Sequence, residues 1–389
     1  MPLARTFHLP QVLITGLGAS AQVGEEIGKL KGHKGLMVTD QVLVKLGALD
    51  GIKQALQKSG VAFAIFDSIF TEPAVDFVAE GLKAYRENRC DFLLAFGGGS
   101  AIDTAKAIAV MVTNSGSITD YQGMGKIPQK GASLIAVPTT AGTGSEVSPM
   151  AIITDTKRDV KMLIGSPFLT PDVAIVDPLL TLSMPRSLTA ATGMDALTHA
   201  IEAYVSVKAQ PMSDIFCLSA IEHIAGNLKQ AWTEGSNIEA REKTMLGALQ
   251  AGIAFSNSSV ALVHGMARPI GAYFHVPHGA SNAALLGVVT EFSLSGNLVR
   301  YARIAQAMGV DASGRDDMEA ARQGMVAVQK LIKDIKVSSL RELGVDGEKL
   351  VELAPRMAED ALASGSPANN PRPVTKEEII ELYKLAHAQ

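Results

Sequence analysis

The stretch Phe92-Leu-Leu-Ala-Phe96-Gly97-Gly98-Gly99-Ser100 decides the fold. Five apolar residues in a row read as a strand buried on both faces. Three glycines end it in a sharp turn, and helical periodicity begins at once over 101–112. A strand that turns on glycine into a helix aims uncovered backbone N–H groups and a positive dipole end at one point. That is a seat for a diphosphate, with Gly97, Gly98, Gly99 and Ser100 as its candidate contacts. The plain alternative is a tight strand–helix turn with no ligand. Asp103 and Lys106 fall on the first turns of the helix, and Asp103 is carried as a cofactor-side candidate.

Outward from that point the same unit repeats. Short apolar runs at 11–15, 35–39, 61–66, 133–137 and 173–176 alternate with helical periodicity at 21–30, 47–59 and 73–87. Strand and helix at this spacing read as a parallel sheet with helices on its faces. Beyond Pro185 the strand pattern stops. A 3.6 period takes over at 187–209, 212–232, 238–256, 297–308, 318–335, 349–363 and 376–386. Two domains are expected: an α/β Rossmann-like nucleotide-binding domain over 1–185 and an all-helical metal and substrate domain over 186–389. Thr375 with Glu378 three residues on marks the start of the last helix as a capping box.

Two further loops compete for the nucleotide. Pro138-Thr-Thr-Ala-Gly-Thr-Gly-Ser145 follows an apolar run and suits phosphate, ribose or a flat ring. Gly16-Leu-Gly18-Ala-Ser-Ala21 imitates a dinucleotide fingerprint, and Asp40 follows at the distance of a ribose-binding acid. The three adjacent glycines give the more open seat, so the pyrophosphate is expected at Gly97–Ser100. A carboxylate at Asp40 favours NAD over NADP by repelling a 2′-phosphate; a helix N-cap is the other reading of that residue.

The second half places a carboxylate and imidazoles in apolar surroundings. Asp195 and His199 are four apart, hence on one helix face, and His264, His275 and His278 fall within fifteen residues. Asp195, His199, His264 and His278 together would form a one-carboxylate, three-imidazole site suited to Fe(II) or Zn(II). Two unrelated buried pairs are the alternative. With a nucleotide sheet beside it, such a site suggests that a metal stabilises a substrate alkoxide while nicotinamide takes the hydride.

At these residues the chain resembles the iron-containing (group III) alcohol dehydrogenase family, essentially from end to end. The resemblance is carried by Gly97–Lys106, Pro138–Glu146, Gly193–Glu202, His264-Gly-Met-Ala, Pro277–Leu286 and Asn370-Pro-Arg-Pro373. It implies the dehydroquinate synthase-like pairing of an α/β and a helical domain, and hydride exchange between NAD(P) and a small alcohol or aldehyde. It implies Asp195, His199, His264 and His278 as metal ligands, and Thr139, Thr140 and Thr143 lining the cofactor site with Lys161, Thr181 and Leu182 nearby. Phe255 would wall the substrate, and a homo-oligomer, most often a dimer, is expected.

The chain departs from the family pattern at Arg268, where many members carry a second histidine four residues after the third ligand. A guanidinium stays charged and relays no proton near neutral pH. Arg268 is expected either to favour an anionic substrate end, such as a carboxylated aldehyde, or to sit in a structural salt bridge. His275 stands as a relay candidate or an ordinary surface or core histidine. Glu72-Pro73 replaces a common Asn-Pro, and Gly287 a common proline.

Composition sets the remaining bounds. The 389 residues carry a formal charge of -4 from 35 basic and 39 acidic side chains, which argues against a chain-wide nucleic-acid surface. Two cysteines outside any CxxC give no sign of an oxidising compartment. The N-terminus does not read as a signal peptide, and no apolar run reaches the length of a membrane span. A cytoplasmic location is expected, with an idle nucleotide-binding or scaffold protein as the reading of a different class.

Overall fold

The computed structural model describes residues 4–158 and 160–388. The chain forms two compact units, one of His8–Ser183 and one of residues 4–7 with 184–388.

The first unit carries strands β1 Val12–Thr15, β2 Lys34–Asp40, β3 Ala62–Ile69, β4 Phe92–Gly97, β5 Gly123–Met124, β6 Ser133–Pro138, β7 Met150–Asp155, β8 Val160–Gly165 and β9 Val173–Val176. Its helices are α1 Val23–Lys29, α2 Gln41–Lys45, α3 Asp50–Lys58, α4 Val75–Glu87 and α5 Gly99–Thr113. The six strands expected from the sequence form one sheet in the order β1-β9-β6-β4-β2-β3, parallel throughout.

Alternation along those strands fills both faces. Leu36, Val38, Leu93, Ala95, Leu134 and Ala136 pack with residues of α4 and α5 such as Phe77 and Ile102. Met37, Leu94, Phe96, Ile135 and Val137 pack on the other face with Val23, Ile27, Ile52 and Leu56 of α1 and α3. Buried strands of this kind read as continuous apolar runs because neither face meets water. Chain direction across the sheet reverses between β2 and β4, which lie side by side. The end of β2 at Asp40 and the end of β4 at Gly97 therefore meet at a topological switch point, where such sheets take their ligands.

The sequence reading passed over a second sheet, β5-β8-β7, in which β7 and β8 form an antiparallel hairpin. It is tied to α5 from beneath. Lys106, fully buried, donates to Ser148 O at 2.9 Å, Ser148 Oγ at 3.0 Å and Met150 O at 2.8 Å. Asp103 accepts from the Ile152 N–H at 2.9 Å and from the Ser145 hydroxyl.

The second unit is helical: α6 Arg186–Val205, α7 Pro211–Thr233, α8 Ile238–Ser258, α9 Leu262–Phe274, α10 His278–Ser293, α11 Leu298–Ala307, α12 Asp317–Asp334, α13 Gly347–Ala363 and α14 Lys376–Ala388. The capping box forms at the start of α14: Thr375 N donates to Glu378 Oε2 at 2.9 Å, and Glu378 N donates to Thr375 Oγ1 at 3.2 Å. Between α8 and α9 the chain bends by 102° at Ser259, whose φ is +66°. Asn369 steadies that strained residue by donating to Ser259 Oγ at 3.0 Å and Val260 O at 2.9 Å. The bend carries His264 on α9 back against α6. No single helix among the described residues is long and apolar enough to cross a membrane.

Candidate metal centre and cofactor seat

α6 is buried on almost every side from Gly193 to Val205, so its Asp195 and His199 project into protein rather than water. One donor atom each from Asp195, His199 and His264 lies within 4.8 Å of the others. Such a spacing suits ligands of one divalent cation, and a carboxylate with two imidazoles is a donor set for Fe(II) or Zn(II). His264 Nε2 makes no hydrogen bond although buried, and Asp195 Oδ1 stands 3.6 Å from it. An orphaned buried nitrogen is costly; a cation between these atoms would satisfy it.

Glu202 orients that imidazole. It sits on α6, three residues after His199, fully inside the protein. Its carboxylate accepts from the Ala261 N–H at 2.9 Å, the Val263 N–H at 2.5 Å and His264 Nδ1 at 2.7 Å. It thus caps the start of α9 and holds a proton on Nδ1, so that Nε2 is the nitrogen turned toward Asp195. Burial disfavours a charged His264, but the carboxylates of Asp195 and Glu202 outweigh it and push its pKa up to about 9. Burial likewise acts to raise Asp195, yet the imidazoles of His199, His264 and His278 hold it well below the usual carboxylate range. The pocket therefore favours positive charge at its centre.

His278 opens α10, its ring centroid 5.4 Å from that of His264. Asn282, one turn further on, donates from Nδ2 to Asp195 Oδ1 at 2.7 Å and lies 3.1 Å from His278 Nε2. α10 comes this close because residue 279 is glycine: a Cβ there would meet Ala191 O at 2.9 Å and Asp195 Cβ at 3.4 Å. Phe255 stacks on His199 with ring centroids 4.3 Å apart, forming one wall. Arg268 lies one turn after His264 on the same face of α9. Its guanidinium makes no hydrogen bond or ion pair among the described residues; burial lowers its pKa and the charge of Glu202 acts against that. His275 is exposed at the left-handed C-terminal end of α9, with φ +56°.

In the first unit the glycine turn stands open. Gly97 has φ +156°, Gly98 is the N-cap of α5, and no side chain caps the helix. Thr139 N donates to Gly97 O at 3.0 Å, so the 138–145 loop lies against the turn. A Cβ on Gly98 would stand 3.4 Å from Thr140, and one on Gly99 would meet Thr143 at 2.9 Å. The two loops thus pack against each other at the end of β4 and β6.

Asp40 caps α2, accepting from Leu43 N at 2.9 Å, while its other oxygen lies 3.7 Å from where a Cβ on Gly97 would be. The competing fingerprint at Gly16–Ala21 is already filled. Asp177 accepts from Gly18 N at 3.0 Å, Ser20 N at 3.1 Å and Ser20 Oγ at 2.6 Å, taking the place an anion would occupy. Lys161 pairs with Glu72 at 2.5 Å. Thr181 is buried and donates to Pro178 O at 2.7 Å, with Leu182 capping the same turn. Asp103 has its carboxylate engaged by Ser145 and Ile152, beneath the seat. Glu202 and Asn282 carry roles the sequence reading did not assign; the signal was a polar residue one turn after a ligand in an otherwise small and apolar segment.

A parallel nucleotide-type sheet and a helical unit with a buried carboxylate–imidazole cluster are the parts of a nucleotide- and metal-dependent enzyme. Models of the iron-containing alcohol dehydrogenase match residues 10–178, and of the C-terminal region of the Fe-containing alcohol dehydrogenase family residues 189–387. The chain belongs to the iron-containing alcohol dehydrogenase family. It is 40% identical over 383 residues to the 1,3-propanediol dehydrogenase of Klebsiella pneumoniae, covering 98% of each chain. Identity to the NAD-dependent methanol dehydrogenase of Bacillus methanolicus is 38% over 381 residues, covering 98% of this chain and 99% of that one. A crystal structure of a 1,3-propanediol oxidoreductase superposes with TM-score 0.96 at 39% identity, covering 99% of this chain and all of the other. The activity is NAD-dependent hydride exchange with an alcohol or aldehyde.

Proposed function

We propose that the substrate is a small primary alcohol or its aldehyde, and that four side chains, Asp195, His199, His264 and His278, hold Fe(II) for the reaction. The observation that carries this reading is the buried cluster of Asp195, His199 and His264 with an unpaired Nε2. His278 completes it from the start of α10. Bound Fe(II) supplies Lewis-acid stabilisation of negative charge on the substrate oxygen. Phe255 and the apolar walls exclude water from the reacting carbon. The substrates named for the two relatives above, 1,3-propanediol and methanol, are small.

The open N-terminus of α5 and the glycines Gly97, Gly98 and Gly99 with Ser100 take the pyrophosphate of NAD. Thr139, Thr140 and Thr143 line that seat, and Asp40 takes ribose hydroxyls and disfavours a 2′-phosphate. Lys161, Thr181 and Leu182 are further cofactor contacts in this reading, and Asp103 braces the 138–145 loop through Ser145. Division of labour then follows the domains, 1–185 for the cofactor and 186–389 for metal and substrate.

A second reading, a small carboxylated aldehyde, is favoured by the unpaired guanidinium of Arg268. Protein loaded anaerobically with Fe(II) or Zn(II) and offered an aldehyde panel with NADH and NADPH tests both readings. Turnover with NADH that a chelator abolishes and Fe(II) restores is the expected result; no turnover on any aldehyde would remove the enzymatic reading. Arg268→Ala should lower kcat/KM for carboxylated aldehydes at least tenfold more than for neutral ones, and an equal loss on both sinks the anion reading. A cytoplasmic homodimer is proposed with it. The support for the dimer is the edge strand β1, which leaves Val12 and Leu13 exposed between the exposed Leu9 and Leu17.

A further inference from the structure

We propose that Asn282 is a positioning residue of the metal centre: its side-chain amide ties Asp195 on α6 to His278 on α10 and sets the tautomer of His278. Asn282 is completely buried. Its Nδ2 stands 2.7 Å from Asp195 Oδ1, and an ionised carboxylate only accepts hydrogen bonds. The amide atom facing it is therefore nitrogen, and the choice between O and N is made by the chemistry of the partner. The same NH2 group lies 3.1 Å from His278 Nε2. A group that only donates faces that ring nitrogen, so Nε2 is the acceptor and the ring proton belongs on Nδ1.

Two ligand groups from two helices are thereby prepared by one side chain. The carboxylate of Asp195 is turned to a fixed orientation, and Nε2 of His278 is kept unprotonated, its lone pair resting on the Asn282 amide until a cation takes the place of that hydrogen bond. Glu202 does the same for His264 from the other side of the cluster, by taking the Nδ1 proton. The carbonyl Oδ1 of Asn282 is buried with no hydrogen-bond partner. Unpaired buried polar atoms are costly, and an apolar side chain of the same shape would avoid that cost. The amide is kept where only its donor end has work, and that work is directed at two candidate ligands.

The inference rests on the metal reading above, and the experiment separates the two. Full-length protein freed of metal is compared with Asn282→Leu, which keeps the shape and removes the donor, and with Asn282→Ser as a second variant. Zn(II) affinity is read by chelator competition, the thermal midpoint of the metal-free protein by calorimetry, and the His278 tautomer by nitrogen NMR of labelled histidine. The expected result is a 10- to 100-fold loss of Zn(II) affinity with little change in the metal-free midpoint, and a His278 ring that is Nδ1-protonated in the parent and mixed in the variants. Unchanged affinity in both variants overturns the proposal. So does a midpoint that falls in step with affinity in both, which marks a packing role, or a parent His278 protonated on Nε2. If the parent itself takes up neither Zn(II) nor Fe(II), the metal reading falls and this proposal with it. If the parent binds and the variants bind equally, only the role of Asn282 falls.

Discussion

Glu146 shows at the scale of one residue what the proposed cofactor seat costs to build. It closes the 138–146 segment in a fully buried position beside Lys106. Burial drives its pKa from 4.5 to about 7, against the pull of its own backbone N–H and the charge of Lys106. Lys106 is pushed down to about 8 by the same burial, against the charges of Asp103 and Glu146. For Glu146 the sign of the linkage is fixed. Between pH 4.5 and about 7 the folded chain keeps a proton that the unfolded chain has released, so stability falls as pH rises through that window. Glu146→Gln removes this dependence. Its stability relative to the parent should grow between pH 4.5 and 7, by at most about 3 kcal/mol, and stay level above. Urea unfolding at pH 5 and pH 7.5 measures it, and parallel curves for the two proteins would contradict the assignment.

At the scale of elements, the proposed four-ligand metal centre depends on how closely α10 lies against α6. Gly279 is the point of contact, since any Cβ there would press on the Ala191 carbonyl. Gly279→Val should force the first turn of α10 outward, taking His278 and Asn282 with it. Overpacking of this kind costs about 1–3 kcal/mol. The expected outcome is a Zn(II) affinity at least tenfold weaker by titration calorimetry, with the helical circular dichroism unchanged. Full affinity in the valine protein would show that α10 does not set the site. α9 and α10 are also the elements that sequence periodicity left unread, because both are rich in small residues and buried along most of their length. α10, apolar or small on every side, has no amphipathic stripe to detect. Pro269 inside α9 and glycines at 265, 271, 279 and 287 weaken the local propensity further. The hairpin of β7 and β8 was missed for a related reason, since short alternation beside a glycine-rich loop reads as more loop.

At the scale of the whole molecule, the β1 edge of the six-stranded sheet is where the proposed second copy adds. Leu13→Lys should convert the proposed dimer to monomer in sedimentation velocity, because a charge on an edge strand opposes pairing. A parent protein that already sediments as a monomer, or a variant that stays dimeric, would remove that interface. The sequence by itself determined the class of architecture: apolar runs at the strand positions, the glycine turn after Phe96, and Asp195 four residues before His199 all follow from local spacing. Tertiary structure alone decided which distant residues converge. It brought His264 to Asp195 through the bend at Ser259, filled the rival Gly16–Ala21 turn with Asp177, and recruited Glu202 and Asn282 to the ligands. The physical reason is that periodicity reports which side of an element faces the interior. Which partner it meets there is set by helix crossings and by single glycines that permit them.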